Sequence, residues 1–182
     1  MIRLFAAVEI PPEIAAGLER RQQGLPGARW HDAEALHLTL RFFGDVSEDI
    51  AAEIDQALAA IGFPAFELTL AGVGAFGEGG DVRAVWAGVE PSPALDELHQ
   101  RCEAVARRVG LPPPDKRTYR PHVTLAYLRR PDPDRVAAWI ANHNLLRSPA
   151  FPVGWFGLYS SWLSKDGSRY ELEREYPLTG TR

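Results

Sequence analysis

Cysteine is nearly missing from this chain. Cys102 stands alone among 182 residues, so no internal disulfide framework can form. A lone thiol fits a reducing compartment, and its place in a predicted helix makes it a small buried hydrophobe rather than a reactive group. An excess of one charge is missing too. With 20 Lys and Arg against 24 Asp and Glu the net charge is −4, which gives no general attraction to nucleic acid or an anionic membrane. Affinity for phosphate must then come from a local cluster. No apolar run approaches the roughly 20 residues of a membrane span. The N-terminal stretch is apolar for only a few residues before Glu9, too short for the core of a secretory leader. These absences lead us to expect a soluble cytoplasmic protein that does not engage membranes.

Apolar and charged residues, at 46% and 24%, are ordinary for a globular protein, so a sizeable core is available to one domain or two small lobes. Strands are predicted at Arg3–Ile10, Leu36–Phe43, Phe66–Val73, Val82–Val89, His122–Leu128, Phe151–Leu158 and Ser168–Tyr176. Helices are predicted at Glu13–Gln23, from Ser47 through Ile61, from Ser92 or Pro93 to about Val109, and at Asp134–Asn142. Gly44-Asp45 reads as a stop, and Lys165-Asp166-Gly167 as a turn. Gly72 to Gly77 has the spacing GxGxxG, but another strand follows where a dinucleotide site needs a helix. It is therefore read as a glycine-rich connection. Strand–helix–strand segments recur in both halves and predict a two-lobed α/β or α+β fold with a cleft between the lobes.

One short pattern occurs in each half: Leu36-His37-Leu38-Thr39-Leu40 and Pro121-His122-Val123-Thr124-Leu125. On a strand, side chains at i and i+2 share a face. Each segment therefore presents an imidazole and a hydroxyl in front and anchors its aliphatic residues behind. Two imidazoles facing one cleft supply a general base and a general acid without a cofactor. Displacement at phosphorus needs this arrangement, because the attacking and leaving oxygens occupy opposite apical positions. Thr39 and Thr124 would donate to the non-bridging oxygens.

Lys116, Arg117, Arg120, Arg129 and Arg130 surround the second pattern with Asp115 as the one acidic residue among them. Arg120 is expected to reach the cleft, with Lys116 and Arg117 in the same basic loop; Arg129 and Arg130 are expected to be solvated. Arg41 continues the face of His37 and Thr39 and could also meet an anion. Trp30, Phe42, Tyr119 and Tyr127 are candidates for base stacking as well as for the core. His31, in a turn, His99, on a helix beside its apolar stripe, and His143, near a helix end, read as surface or structural, and none has a metal-ligand spacing with a neighbour.

With these residues in view, the chain resembles the RNA 2′,3′-cyclic phosphodiesterases of the 2H phosphoesterase superfamily, also called 2′-5′ RNA ligases. The resemblance runs nearly end to end. It rests on Arg3-Leu4-Phe5-Ala6-Ala7, on the first pattern with Arg41-Phe42-Phe43-Gly44, and on Arg83-Ala84-Val85-Trp86-Ala87-Gly88. It continues through Arg120-Pro121-His122-Val123-Thr124-Leu125-Ala126 to Leu158-Tyr159-Ser160-Ser161 and Tyr176-Pro177-Leu178. It implies a single bilobal α+β domain over residues 1–182, with two pseudo-symmetric antiparallel sheets, outer helices and a central cleft. It also implies metal-independent hydrolysis of cyclic-ended RNA or nucleoside cyclic phosphates to 2′-phosphates by a monomer, with possible reverse 2′-5′ ligation. In that scheme His37 is the proton donor and His122 the proton acceptor; the two nearly symmetric patterns do not by themselves say which is which. The rivals are an RNA-binding module without turnover and a metal-dependent phosphodiesterase.

Overall fold

The computed structural model describes residues 1–114 and 118–179. In chain order these form β1 (Ile2–Glu9), α1 (Pro12–Glu19), β2 (Arg29–Trp30), β3 (His37–Val46), α2 (Glu48–Ala59), β4 (Phe66–Leu68) and β5 (Leu70–Phe76). There follow β6 (Ala84–Val89), α3 (Pro93–Arg108), β7 (His122–Tyr127), α4 (Pro133–His143), β8 (Phe151–Val153), β9 (Trp155–Ser164) and β10 (Gly167–Pro177). Three helices start on a side-chain cap: Ser47 Oγ accepts from Ile50 N–H at 3.3 Å, Ser92 Oγ from Leu95 N–H at 3.2 Å, and an Asp132 carboxylate oxygen from Asp134 N–H at 2.9 Å. Each such cap stabilises a helix by about 1 kcal/mol.

The strands lie in the order β10-β9-β1-β3-β7-β6-β5, with β2 added beside β7, and every pairing is antiparallel. Among the described residues, the pair Leu38–Val123 alone joins β3 to β7. That narrow seam divides the sheet into two lobes, β10-β9-β1-β3 and β7-β6-β5 with β2, so the two expected sheets are fused at their inner edges. A separate two-stranded sheet pairs β4 with β8.

The helices cover one face of this sheet. α3 packs on β3 and on α2, which also meets β1 and β10. α4 packs on β5, and its Trp139 indole N–H donates to the Arg21 carbonyl after α1 at 3.0 Å. Beneath the helices lie Leu38, Leu40, Val123 and Leu125, each at most 1% exposed, as strand alternation predicts. Burying an aliphatic side chain of this size stabilises by roughly 1.5–3 kcal/mol, which fixes the face on which His37, Thr39, His122 and Thr124 must stand.

Several boundaries differ from expectation. β3 runs past Gly44 to Val46 because Gly44 takes a φ of 78° without strain, so no stop occurs there. Most of the Gly72–Gly77 segment is strand β5 rather than a connection. The Trp86 indole lies flat on Gly74, leaving no room for a Cβ. β5 leads into β6 with no intervening α-helix, which agrees with rejecting a dinucleotide site. The predicted strands Phe66–Val73 and Phe151–Leu158 are each interrupted, because β4 and β8 leave the main sheet to pair with each other. The predicted helix to Gln23 leaves α-geometry after Glu19, and Arg21 and Gln22 bond back only three residues.

Candidate active site

At the seam the antiparallel register has a simple consequence. Leu38 pairs with Val123, so one step outward in each direction sets His37 across from Thr124 and Thr39 across from His122. Each histidine faces the other strand's threonine, and the two imidazoles lie on a diagonal with room between them. Both patterns line one cavity of about 190 Å³, together with His31, Ala35, Phe42, Phe76, Arg83, Ala84, Tyr127 and Tyr170.

Immediately after each pattern the strand slips. In β3, Thr39 pairs with Ala7 but Arg41 with Ala6, so Leu40 is an extra residue. In β7, Thr124 pairs with Trp86 but Ala126 with Val85, so Leu125 is extra. Such a bulge exchanges the faces of the residues that follow it, in β3 as far as a second extra residue at Phe43. Phe42 and Tyr127 therefore take the cavity face at equivalent places in the two lobes, where they are 59% and 48% exposed and open to a ligand.

The same slip corrects the placement expected for Arg41. Its side chain goes to the helix face, where Nε meets a Glu103 carboxylate oxygen of α3 at 2.8 Å with both partners about one-tenth exposed. Its other nitrogens donate to the Phe42 and Pro112 carbonyls at 2.7 and 2.8 Å. Arg41 is a structural clamp and does not line the cavity. Next to it, Tyr119 O–H donates to the Thr39 carbonyl at 2.9 Å and His99 Nδ1 to the Leu40 carbonyl at 2.7 Å, while their rings stack at 3.6 Å. These side chains serve the backbone of β3 where it parts from β7. Tyr119 is thereby a strand anchor, and Trp30, 6.0 Å from Trp139, is partly buried and packs against the core.

The histidines sit in different aromatic settings. His37 stacks on Phe5 at 4.9 Å and meets the edge of Tyr170 at 5.0 Å. Burial holds its pKa down to about 4; the charge of His31, and then that of His122, acts in the same direction against a hydrogen bond to the Ala35 backbone. His122 lies against Phe76 at 4.7 Å and Trp86 at 6.2 Å. Its pKa is also lowered, first by burial, while the Arg120 carbonyl favours the charged ring and the Arg120 guanidinium opposes it. Nδ1 donates to that carbonyl at 2.8 Å. The neutral ring then carries its lone pair on Nε2.

Arg120 itself is exposed and does not line the cavity; its contribution at close range is the carbonyl. Lys116 and Arg117 lie outside the described residues. Sequence reasoning does not select Arg83 as a site residue, yet among the described residues it is the cavity's one arginine. His31 escapes it too. Its N–H pairs with the Leu125 carbonyl at 2.8 Å, its ring bonds to the Thr124 backbone, and its pKa is lowered by burial. The available signal is the short extended piece at Trp30, which pairs with β7 and so delivers the next residue to the second pattern. Among the described residues, no group of three His, Cys, Asp or Glu side chains is arranged to hold a metal ion.

The fused two-lobed antiparallel sheet has close counterparts among solved structures. The Thermus thermophilus protein TT0787 superposes with a TM-score of 0.82 at 27% identity, over 99% of this chain and all of that one. Escherichia coli LigT complexed with 3′-AMP superposes with a TM-score of 0.80 at 29% identity, over 98% of each chain. A Thermotoga maritima protein named RNA 2′,3′-cyclic phosphodiesterase is 30% identical over 98% of this chain and 97% of its own. Residues 10–161 match the 2′-5′ RNA ligase superfamily, and the chain belongs to that family.

Proposed function

We propose that this protein hydrolyses the 2′,3′-cyclic phosphodiester ends of RNA to 2′-phosphomonoesters, with His122 as base and His37 as acid. The observation that carries the reading is the seam register, which sets two histidines on a diagonal with a threonine opposite each. The name of the Thermotoga maritima relative and the 3′-AMP complex of LigT support the substrate class.

His122 Nε2 takes a proton from water as the water oxygen attacks phosphorus. The P–O3′ bond breaks on the opposite side, and His37 gives its proton to O3′. The phosphoryl group stays on O2′, and each histidine returns to its starting protonation state by exchanging a proton with solvent. Thr39, Thr124 and Arg83 donate to the non-bridging oxygens, where charge is stabilised in the transition state. His37 is neutral in the empty cavity at pH 7, since its pKa is about 4. The anionic diester raises that pKa on binding, so acid and substrate assemble together. 2′-5′ ligation uses the same step with a 5′-hydroxyl in place of water: His122 takes its proton, the P–O3′ bond breaks, and His37 gives its proton to O3′. Membership of the protein in RNA processing rests on the same site.

The test is hydrolysis of a cyclic-ended oligonucleotide in EDTA, with the product separated against 2′- and 3′-phosphate standards. Turnover giving the 2′-phosphate is expected. The 3′-phosphate would reverse the leaving-group assignment. Binding without turnover would make the cleft an RNA-binding module, and turnover that EDTA abolishes would make it a metal enzyme.

A further inference from the structure

A cavity of about 190 Å³ is smaller than the roughly 300–1,000 Å³ that encloses a drug-sized ligand. It holds the reacting end of a substrate, so the rest must lie elsewhere. A second hollow of about 200 Å³ adjoins it, sharing the lining residues His31, Ala35, Tyr127 and Tyr170. Beyond the shared walls stand Arg29 of β2 and Arg169 of β10.

We infer that this adjoining groove binds the nucleotide preceding the cyclic end, so that the preferred substrate is an oligonucleotide rather than a mononucleoside cyclic phosphate. The inference rests on the function proposed above. Arg29 and Arg169 are exposed, and the Arg29 guanidinium lies over Gly167, 3.3 Å from where a Cβ would stand. Among the described residues, the ion-pair partner of Arg169 is Asp166, loosely placed at 3.8 Å with both side chains more than half exposed. From these exposed positions both guanidinia are within the groove's lining and can meet a phosphodiester. Tyr127, with the His31 ring edge-on at 5.0 Å, offers a half-exposed face for base stacking. The carboxylates of Asp32 and Asp166 share the wall and balance the two arginines. The groove thus suits one diester, with its base, and disfavours a polyphosphate.

The test compares kcat/KM for adenosine 2′,3′-cyclic phosphate and for the ApA dinucleotide bearing a 2′,3′-cyclic end. Wild type, Arg169→Ala, Arg29→Gln and the double variant are measured on both. In the wild type the dinucleotide should be preferred by about tenfold or more, the scale of one phosphate or stacking contact. The double variant should lose that preference while turnover of the mononucleotide stays within about twofold. Arg169→Ala, at an exposed site, should lose part of it with thermal stability unchanged. Equal losses on both substrates would place the terminal nucleoside itself in the groove and overturn the inference. A wild type without dinucleotide preference would overturn it while leaving the chemistry standing. If neither substrate is turned over, the functional reading falls, and the groove's assignment falls with it.

Discussion

The two lobes present the same device in unlike surroundings. Both carry His-x-Thr on an inner strand, an extra residue directly afterwards, and an aromatic turned into the cavity by that bulge. Behind the bulge the lobes part company. Arg41 in the first is held by Glu103, whereas its counterpart Ala126 in the second is simply packed in the core. In front, His37 is enclosed by Phe5, Tyr159 and Tyr170, while His122 has Phe76, Trp86 and the Arg120 carbonyl. Strand geometry supplies two equivalent imidazoles, and the unequal settings fit the proposed division into one proton transfer each.

The sharpest way to break the comparison is to remove one histidine at a time. His37→Ala and His122→Ala should each lower kcat by about 10²–10⁴ on a cyclic-ended oligonucleotide. The double variant should be little worse than either alone, because the two act on one transition state. A variant that kept wild-type kcat would show its lobe to be only scaffold. Thr39→Val and Thr124→Val come next, at about 10–100-fold each, on the scale of a lost transition-state donor. Similar losses would keep the phosphate centred between the lobes, and a large inequality would move it towards one.

The asymmetry behind the bulges predicts a stability effect confined to the first lobe. Glu103→Ala strands the buried Arg41 guanidinium and should destabilise by about 3 kcal/mol, read in urea unfolding. Replacing Arg41 and Glu103 together by methionine should recover most of that loss. If it does not, Arg41 acts through the hydrogen bonds it donates to the Phe42 and Pro112 carbonyls.

A smaller effect separates the imidazoles by pH. All three cavity histidines have pKa values lowered by burial, so the unfolded chain takes up protons first as pH falls. Their contribution is present above the ordinary value of 6.5 and is lost as pH falls towards about 4, the position of His37. His37 accounts for up to roughly 3 kcal/mol of this before its partial exposure is discounted. Unfolding midpoints between pH 7 and 4.5 should fall less steeply in His37→Ala than in the wild type.

Much of the site was legible because strand periodicity is a two-residue rule. His37 with Thr39 and His122 with Thr124 needed only the alternation that buries Leu38, Leu40, Val123 and Leu125. The bulges were not legible. Leu40 and Leu125 are ordinary strand residues, and nothing local marks either as the extra one. Carrying the alternation one step too far put Arg41 in the cleft and left Phe42 as one stacking candidate among four. His31 was hidden for another reason: it reaches the cavity through β2 pairing with β7, a contact distant in the chain. The fusion of the two expected sheets was hidden too, because it rests on the single pair Leu38–Val123.

The central claim is that each lobe carries one proton transfer, and a change of leaving group tests it most directly. In a cyclic phosphorothiolate with sulfur bridging at the 3′ position, the leaving thiolate needs no acid. The account predicts that His37→Ala regains near wild-type turnover on this substrate while His122→Ala stays impaired. Rescue of His122→Ala instead, or of both variants alike, would contradict the division of labour between the lobes.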